Sequence, residues 1–245
     1  MTPSTEFLLM AGVLVLYIYD SMLLLYCNEG ILSPAGKNGW TVHFGSNYFP
    51  MFGKEPFVPN PFLLHRPLFR LSWQFEGQHH TEKWTPQNQA FSVLVPMVWI
   101  MMASLFIILP LGLFTRLGDN MIVVALVVFY STVIVALLWV WRKRSIFRCS
   151  EKRFAGLAFE SVICPPFALN LVRHLSANIP VPEDLVCATR RLQRPSDWLV
   201  SRAEFLARIE HEIEWEEEDS GRRIILIEHH RMLTEEGESC LARKS

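Results

Sequence analysis

Three long apolar runs, 7–27, 90–114 and 121–141, limit what this chain can fold into, and the first of them carries an aspartate, Asp20. A helical run of about 20 mostly apolar residues matches the roughly 30 Å hydrocarbon thickness of a bilayer. The third run holds only Ser131 and Thr132 as polar interruptions. Asp20 does not disqualify the first. On insertion scales a central Asp costs about 2.5–3.5 kcal/mol, while each Leu, Ile, Val or Phe contributes about −0.3 to −0.6 kcal/mol. The expected fold class is therefore an α-helical integral membrane protein with three transmembrane helices. The first run is not a cleavable signal by pattern, because no Lys or Arg precedes it and no small-x-small site closes it.

Charge placement orients the runs. Arg142, Lys143, Arg144, Arg148, Lys152 and Arg153 follow the third run directly. By the positive-inside rule this cluster faces the cytoplasm. Counting back puts the N-terminus (1–27 with the first helix) and the tight loop 115–120 outside. It puts 28–89 and the tail 142–245 in the cytoplasm, with the second and third helices in 90–141. The expected location is a multi-pass protein of a bacterial inner membrane. The net charge of −1 gives no field for nucleic acid. The partners expected are the lipid bilayer and either a protein partner or further copies of the chain.

Segment 28–89 is too long for a plain connection. Trp40, Val42 and Phe44 alternate with Thr41 and His43, and Phe69, Leu71 and Trp73 alternate with Arg70 and Ser72. Both patterns have the period of a half-buried strand, and Asn38-Gly39 is a hairpin signal. A small β-containing unit is expected. Between the strands, Pro59, Pro61 and Pro67 exclude a helix or a central strand. His65, Arg66 and Arg70 near the membrane surface are a candidate headgroup or anion contact. The competing and favoured reading is that they satisfy the positive-inside bias. His79, His80 and Glu82 lack a third fixed ligand and read as solvated, so no metal is expected.

The tail reads as helical. Stretch 154–175 is apolar, broken by Pro165-Pro166, and either packs against the 28–89 unit, which is favoured, or lies in the inner headgroup layer. Residues 196–217 and 222–233 suggest a helical hairpin. Its expected stripes are Leu199, Leu206, Ile209 and Ile213 on one helix, and Ile224, Ile227 and His230 on the other. The acidic run Glu210 to Asp219 reads as a solvated face. The five cysteines, Cys27, Cys149, Cys164, Cys187 and Cys240, fit no zinc or C-x-x-C spacing and read as thiols of a reducing compartment.

An ionisable residue inside a span is a functional candidate by default. No Lys, Arg or His lies in the other runs. Three partners are open to Asp20: the intramembrane hydroxyls Tyr17, Tyr130, Ser131 and Thr132; a basic residue of the loop; or another subunit. The favoured role is interhelical packing, with Asp20 turned to the three-helix interior near Tyr130, Ser131 and Thr132. No catalytic motif and no cofactor signature is present. The function expected is a structural or accessory subunit of a membrane assembly. The alternative is a proton- or ion-linked component using Asp20. The layout of outer N-terminus, large inner loop, tight outer turn and inner tail resembles that of stator subunits of proton-driven bacterial machines, and that resemblance implies the second role. The small-residue and threonine pattern of such proteins is missing from the second and third runs. A lipid-acting enzyme seeded by His65, Arg66, His79 and His80 is the weakest option.

Overall fold

The computed structural model describes residues 4–36, 39–46, 51–73, 88–115, 118–218 and 220–242. The chain is mostly helical, with short strands, and divides into two interleaved units. Unit one holds Met1–Cys27, Phe44–Arg70 and Thr85–Val181; unit two holds Asn28–His43, Leu71–Trp84 and Pro182–Ser245.

Helix α1 (Thr5–Ser21) opens unit one, with Ser4 as N-cap accepting from the Phe7 N–H and Glu6 in the first turn. It ends six residues short of the apolar run. Met22 is extended, and the Ser21 hydroxyl folds back on the Ile18 carbonyl, occupying an acceptor near the helix end. Leu23–Leu25 then form strand β1, paired antiparallel with β4 (Glu55–Phe57). The run expected as one span is thus a 17-residue helix, about 25 Å long, followed by a strand. Hydropathy does not distinguish an apolar helix from an apolar strand, and that is why the boundary was invisible.

The other two runs form helices long and apolar enough to cross a membrane, Gln89–Phe114 and Asn120–Arg142. The first is built from α2 (Asn88–Ser92), α3 (Leu94–Ala103), a π-helical turn Ser104–Ile108, and α4 (Leu109–Phe114). Pro110 explains the irregular turn. Its ring would clash with the carbonyl four residues back, and widening the helix relieves that. Helix α5 (Gly118–Arg142) returns alongside. Only 28% of the most apolar stretch of each helix is buried within the protein, whereas the core helix of a soluble protein is mostly buried. Ile107, Leu111, Val123, Val127, Ile134 and Leu138 all point outward. At the end of α5, the Arg144 guanidinium lies 4.5 Å over the Trp141 ring and the Lys143 ammonium 5.7 Å over Trp139. After it come α6 (Glu151–Ile163), α7 (Pro165–Leu169) and α8 (Leu171–Ala177). The inner part of α8 is buried through Leu171, Val172 and Leu175.

Unit two is built on a hairpin of β2 (Glu29–Ala35) and β3 (Gly39–His43), in the register Ile31↔His43 to Ala35↔Gly39. Gly36 at φ +57 enters its turn; Asn38 lies outside the described residues, as do His79, His80 and Glu82. Strand β5 (Phe69–Ser72) joins the other edge of β2, giving the order β3-β2-β5. Both strand patterns read from the sequence, 40–44 and 68–74, therefore contain strands. Helix α9 (Leu185–Leu192) packs on β2 and β3, capped by the Asp184 carboxyl, and Arg191 forks onto Glu183 at 2.6 and 3.0 Å. Helices α10 (Pro195–Trp215) and α11 (Gly221–Ala242) form the hairpin.

Its buried faces differ from the expected stripes. Trp198, Phe205 and Ile209 are buried on α10, and Leu226 and Leu233 on α11, while Ile224 and Ile227 are 67% and 50% exposed. Aromatic residues decide the rotation: Phe205 packs against Trp198 and Trp73, and counting only aliphatic repeats missed both partners. The acidic run is partly paired across the turn. Arg222 lies 2.9 Å from Glu212 and 3.4 Å from Glu216, and His230 is 3.0 Å from Glu210. Such exposed pairs contribute about 0–1 kcal/mol each.

Candidate functional site

Asp20 occupies the last turn of α1, three residues after Tyr17 and on the same face. Its partners come from the tail. One carboxyl oxygen, Oδ2, accepts from the Asn170 amide at 2.9 Å and lies 3.0 Å from His174 Nε2. Asn170 stands at the junction of α7 and α8, and His174 is one helical turn further on. Both therefore present the same face to α1. The His174 ring is fixed by stacking on Phe167, with centroids 4.0 Å apart and planes 12° from parallel.

Asn170 has two ends, and both are used. While its NH₂ group faces Asp20 and the Tyr17 carbonyl, its oxygen accepts from Arg173 at 3.0 Å. Arg173 is 3% exposed, and it also donates to the Asn60 carbonyl at 2.6 Å. Burial pulls its proton affinity below the ordinary guanidinium value, while Tyr17 and Asp20 nearby push it up. It stays a cation in any case. The Tyr17 hydroxyl donates to the Pro61 carbonyl. The Asn60–Pro61 carbonyls are available because prolines keep this segment out of regular structure. Asn60 also turns its own side chain onto the Phe62 N–H at 3.0 Å.

The result is one connected polar network, Pro61–Tyr17, Asp20–Asn170–Arg173–Asn60 and Asp20–His174, that ties α1 to two separate chain segments. Tyr17 is 2% exposed and Asn170 is fully buried, while Asp20 and His174 each keep about a fifth of their side chains open.

The expected hydroxyl partners are elsewhere engaged. Thr132 donates to the Val128 carbonyl of its own helix at 2.7 Å, Tyr130 packs its ring on Phe129, and Ser131 is exposed. Of that set only Tyr17 belongs to the site. Because α1 stops at Ser21, Asp20 lies at a helix end within reach of the tail. The Tyr17 ring meets Phe106 in the π-helical turn, with centroids 5.9 Å apart, so α1 ends beside the π-helical part of the long helix rather than at either of its ends. Sequence reading did not pair Asp20 with Asn170, Arg173 or His174. Their signal was present: at i, i+3 and i+4 they are the polar face of the otherwise apolar stretch 165–175.

His65 and Arg66 lie on the proline-rich segment, and Arg70 lies in β5. The His65 ring lies 5.8 Å from that of Trp99, and its Nδ1 is buried without a hydrogen-bond partner. Burial, then the cations Arg66 and Arg173, hold the His65 imidazole below its ordinary value. Arg66 closes a turn through its N–H to Leu63. Among the described residues no group of three or more His, Cys, Asp and Glu is placed to hold a metal ion.

No family model, curated protein or solved structure matches the chain.

Proposed function

We propose that this chain is a structural or accessory subunit of a membrane assembly, a multi-pass protein of a bacterial inner membrane. The observation that carries the reading is the network around Asp20, which joins α1 to two other chain segments. Asp20 Oδ2, both ends of the Asn170 amide and the Tyr17 hydroxyl are hydrogen-bonded within the protein, which suits a group that fixes the position of α1, while Arg173 keeps a buried Nε without a partner. Unit two offers a surface to a partner, since Trp215, Val200 and Ile224 are 79%, 72% and 67% exposed. Trp215 and Ile224 flank the turn of the hairpin, so two of these residues lie at the same end of it.

The orientation proposed is that read from charge, with the N-terminus and loop 115–120 outside and 28–89 and 142–245 cytoplasmic. The Trp139–Lys143 and Trp141–Arg144 contacts support an interface at the end of α5, where aromatic rings and long cationic side chains collect. In this orientation Cys149, Cys164, Cys187 and Cys240 lie in the cytoplasmic tail, and Cys27, just after β1, adjoins the cytoplasmic segment 28–89. An impermeant maleimide on intact spheroplasts should leave the native chain unlabelled and label Asn120→Cys. Labelling of the native chain contradicts the orientation.

The accessory role is tested by isolating the chain from native membranes in mild detergent. A second polypeptide, or a further copy of the chain, is expected in fixed stoichiometry, and Trp215→Glu should weaken its retention at least about tenfold, the effect of losing an aromatic anchor. A chain that isolates alone as a monomer contradicts the role. A proton-linked role is the second reading. It rests on the 3.0 Å Asp20–His174 contact and the fifth of each side chain left open. It predicts that Asp20→Asn retains the fold but abolishes cellular function.

A further inference from the structure

Helix α6 has two apolar faces, and the protein covers only one. Leu157 and Ser161 are buried, and Phe154 packs on Trp141 with centroids 5.0 Å apart. On the other side Ala155, Phe159, Val162 and Ile163 recur at i, i+4, i+7 and i+8, a single stripe along the helix. Phe159, Val162 and Ile163 are 66%, 45% and 63% exposed. Exposed Lys152 continues the stripe at its N-terminal end, and Glu160 sits at its flank.

Position and charge say what covers this face. The connection from α5 to α6 is held by the 2.6 Å Arg144–Glu151 ion pair and by Phe154 on Trp141. The stripe therefore begins beside the end of α5, where the outward apolar residues Leu138 and Trp141 give way to Arg142, Lys143 and Arg144. An apolar stripe at that level, flanked by cations and continuous with a lipid-facing helix, has the chemistry of an interfacial helix on anionic lipid. We infer that α6 lies in the plane of the inner headgroup layer, with Phe159, Val162 and Ile163 in the acyl boundary and Lys152 with residues 142–144 at the phosphates.

This inference rests on the membrane reading above, and the test separates the two. The full chain, carrying a photoreactive benzophenone amino acid at position 159 or at position 138, is reconstituted into phosphatidylethanolamine–phosphatidylglycerol vesicles and irradiated. Lipid adducts of comparable yield at both positions are expected. A lipid adduct at 138 with only protein adducts or none at 159 overturns the placement of α6. Loss of lipid adducts at both positions overturns the membrane reading and this inference with it.

Discussion

Asp20→Leu destabilises unit one by about 2–4 kcal/mol, whereas Asp20→Asn costs about 1 kcal/mol or less. The leucine removes the acceptor shared by the Asn170 amide and His174 Nε2. Asn170 is fully buried, and an unsatisfied buried polar group costs about 1–3 kcal/mol. Arg173, held through Asn170, also loses the Asp20 carboxyl, which together with Tyr17 offsets part of its burial. The partial exposure of Asp20 and His174 keeps the total below that of a fully buried pair. Asparagine behaves differently because both contacts fall on the same oxygen, Oδ2. An amide oxygen there accepts from both neighbours. Chemical unfolding of the detergent-solubilised chain, followed by protease cleavage between α6 and α8, reads the difference. Equal losses for the two variants would mean that charge, not hydrogen bonding, holds α1.

Gly112→Leu has the second large effect, about 3 kcal/mol or more, and separates α4 from α5. A Cβ at Gly112 would stand 2.8 Å from Ile122 Cγ1 and 2.9 Å from the Ile122 backbone nitrogen. A side chain can move aside, but a backbone nitrogen moves only if the helices part. Gly112→Ala should already cost about 1–3 kcal/mol, the usual range for overpacking. Gly12→Ala is the control. It sits in the middle of α1 with nothing within 4 Å of its Cβ, and helix propensity favours the change by up to about 1 kcal/mol. Matching losses at Gly12 and Gly112 would show that glycine flexibility, not close approach, is what α4 needs.

What the sequence made legible follows from which interactions are local. Period-two alternation at Trp40, Val42 and Phe44 and at Phe69, Leu71 and Trp73 located β3 and β5, because strand facing depends on neighbours two residues away. Length and apolarity located the two long helices. The end of α1 was not legible, since Leu23, Leu24 and Leu25 are as apolar in a strand as in a helix, and their partners Phe57, Pro56 and Glu55 lie 34, 32 and 30 residues on in the chain. Asp20 was recognised as the residue to explain, yet the favoured partners were the hydroxyls Tyr130, Ser131 and Thr132 of another apolar run. Asn170 and His174 are 150 and 154 residues away, and nothing local to Asp20 points to them. The face of α11 was misplaced for a similar reason: burial of Leu226 and Leu233 is set by α10, not by the repeat of Ile224 and Ile227.

Asp20 docks the end of α1 on the tail, and a double-mutant cycle puts this docking to the test. Asp20→Leu, Asn170→Leu and the double variant are compared by chemical unfolding. Residues that bond directly show coupling of about 0.5–3 kcal/mol, whereas distant ones add. The expected result is a double variant at least about 1 kcal/mol more stable than the sum of the single losses predicts, within that range. Strict additivity would contradict the account, leaving Asp20 and Asn170 as independent residues and α1 held by something else.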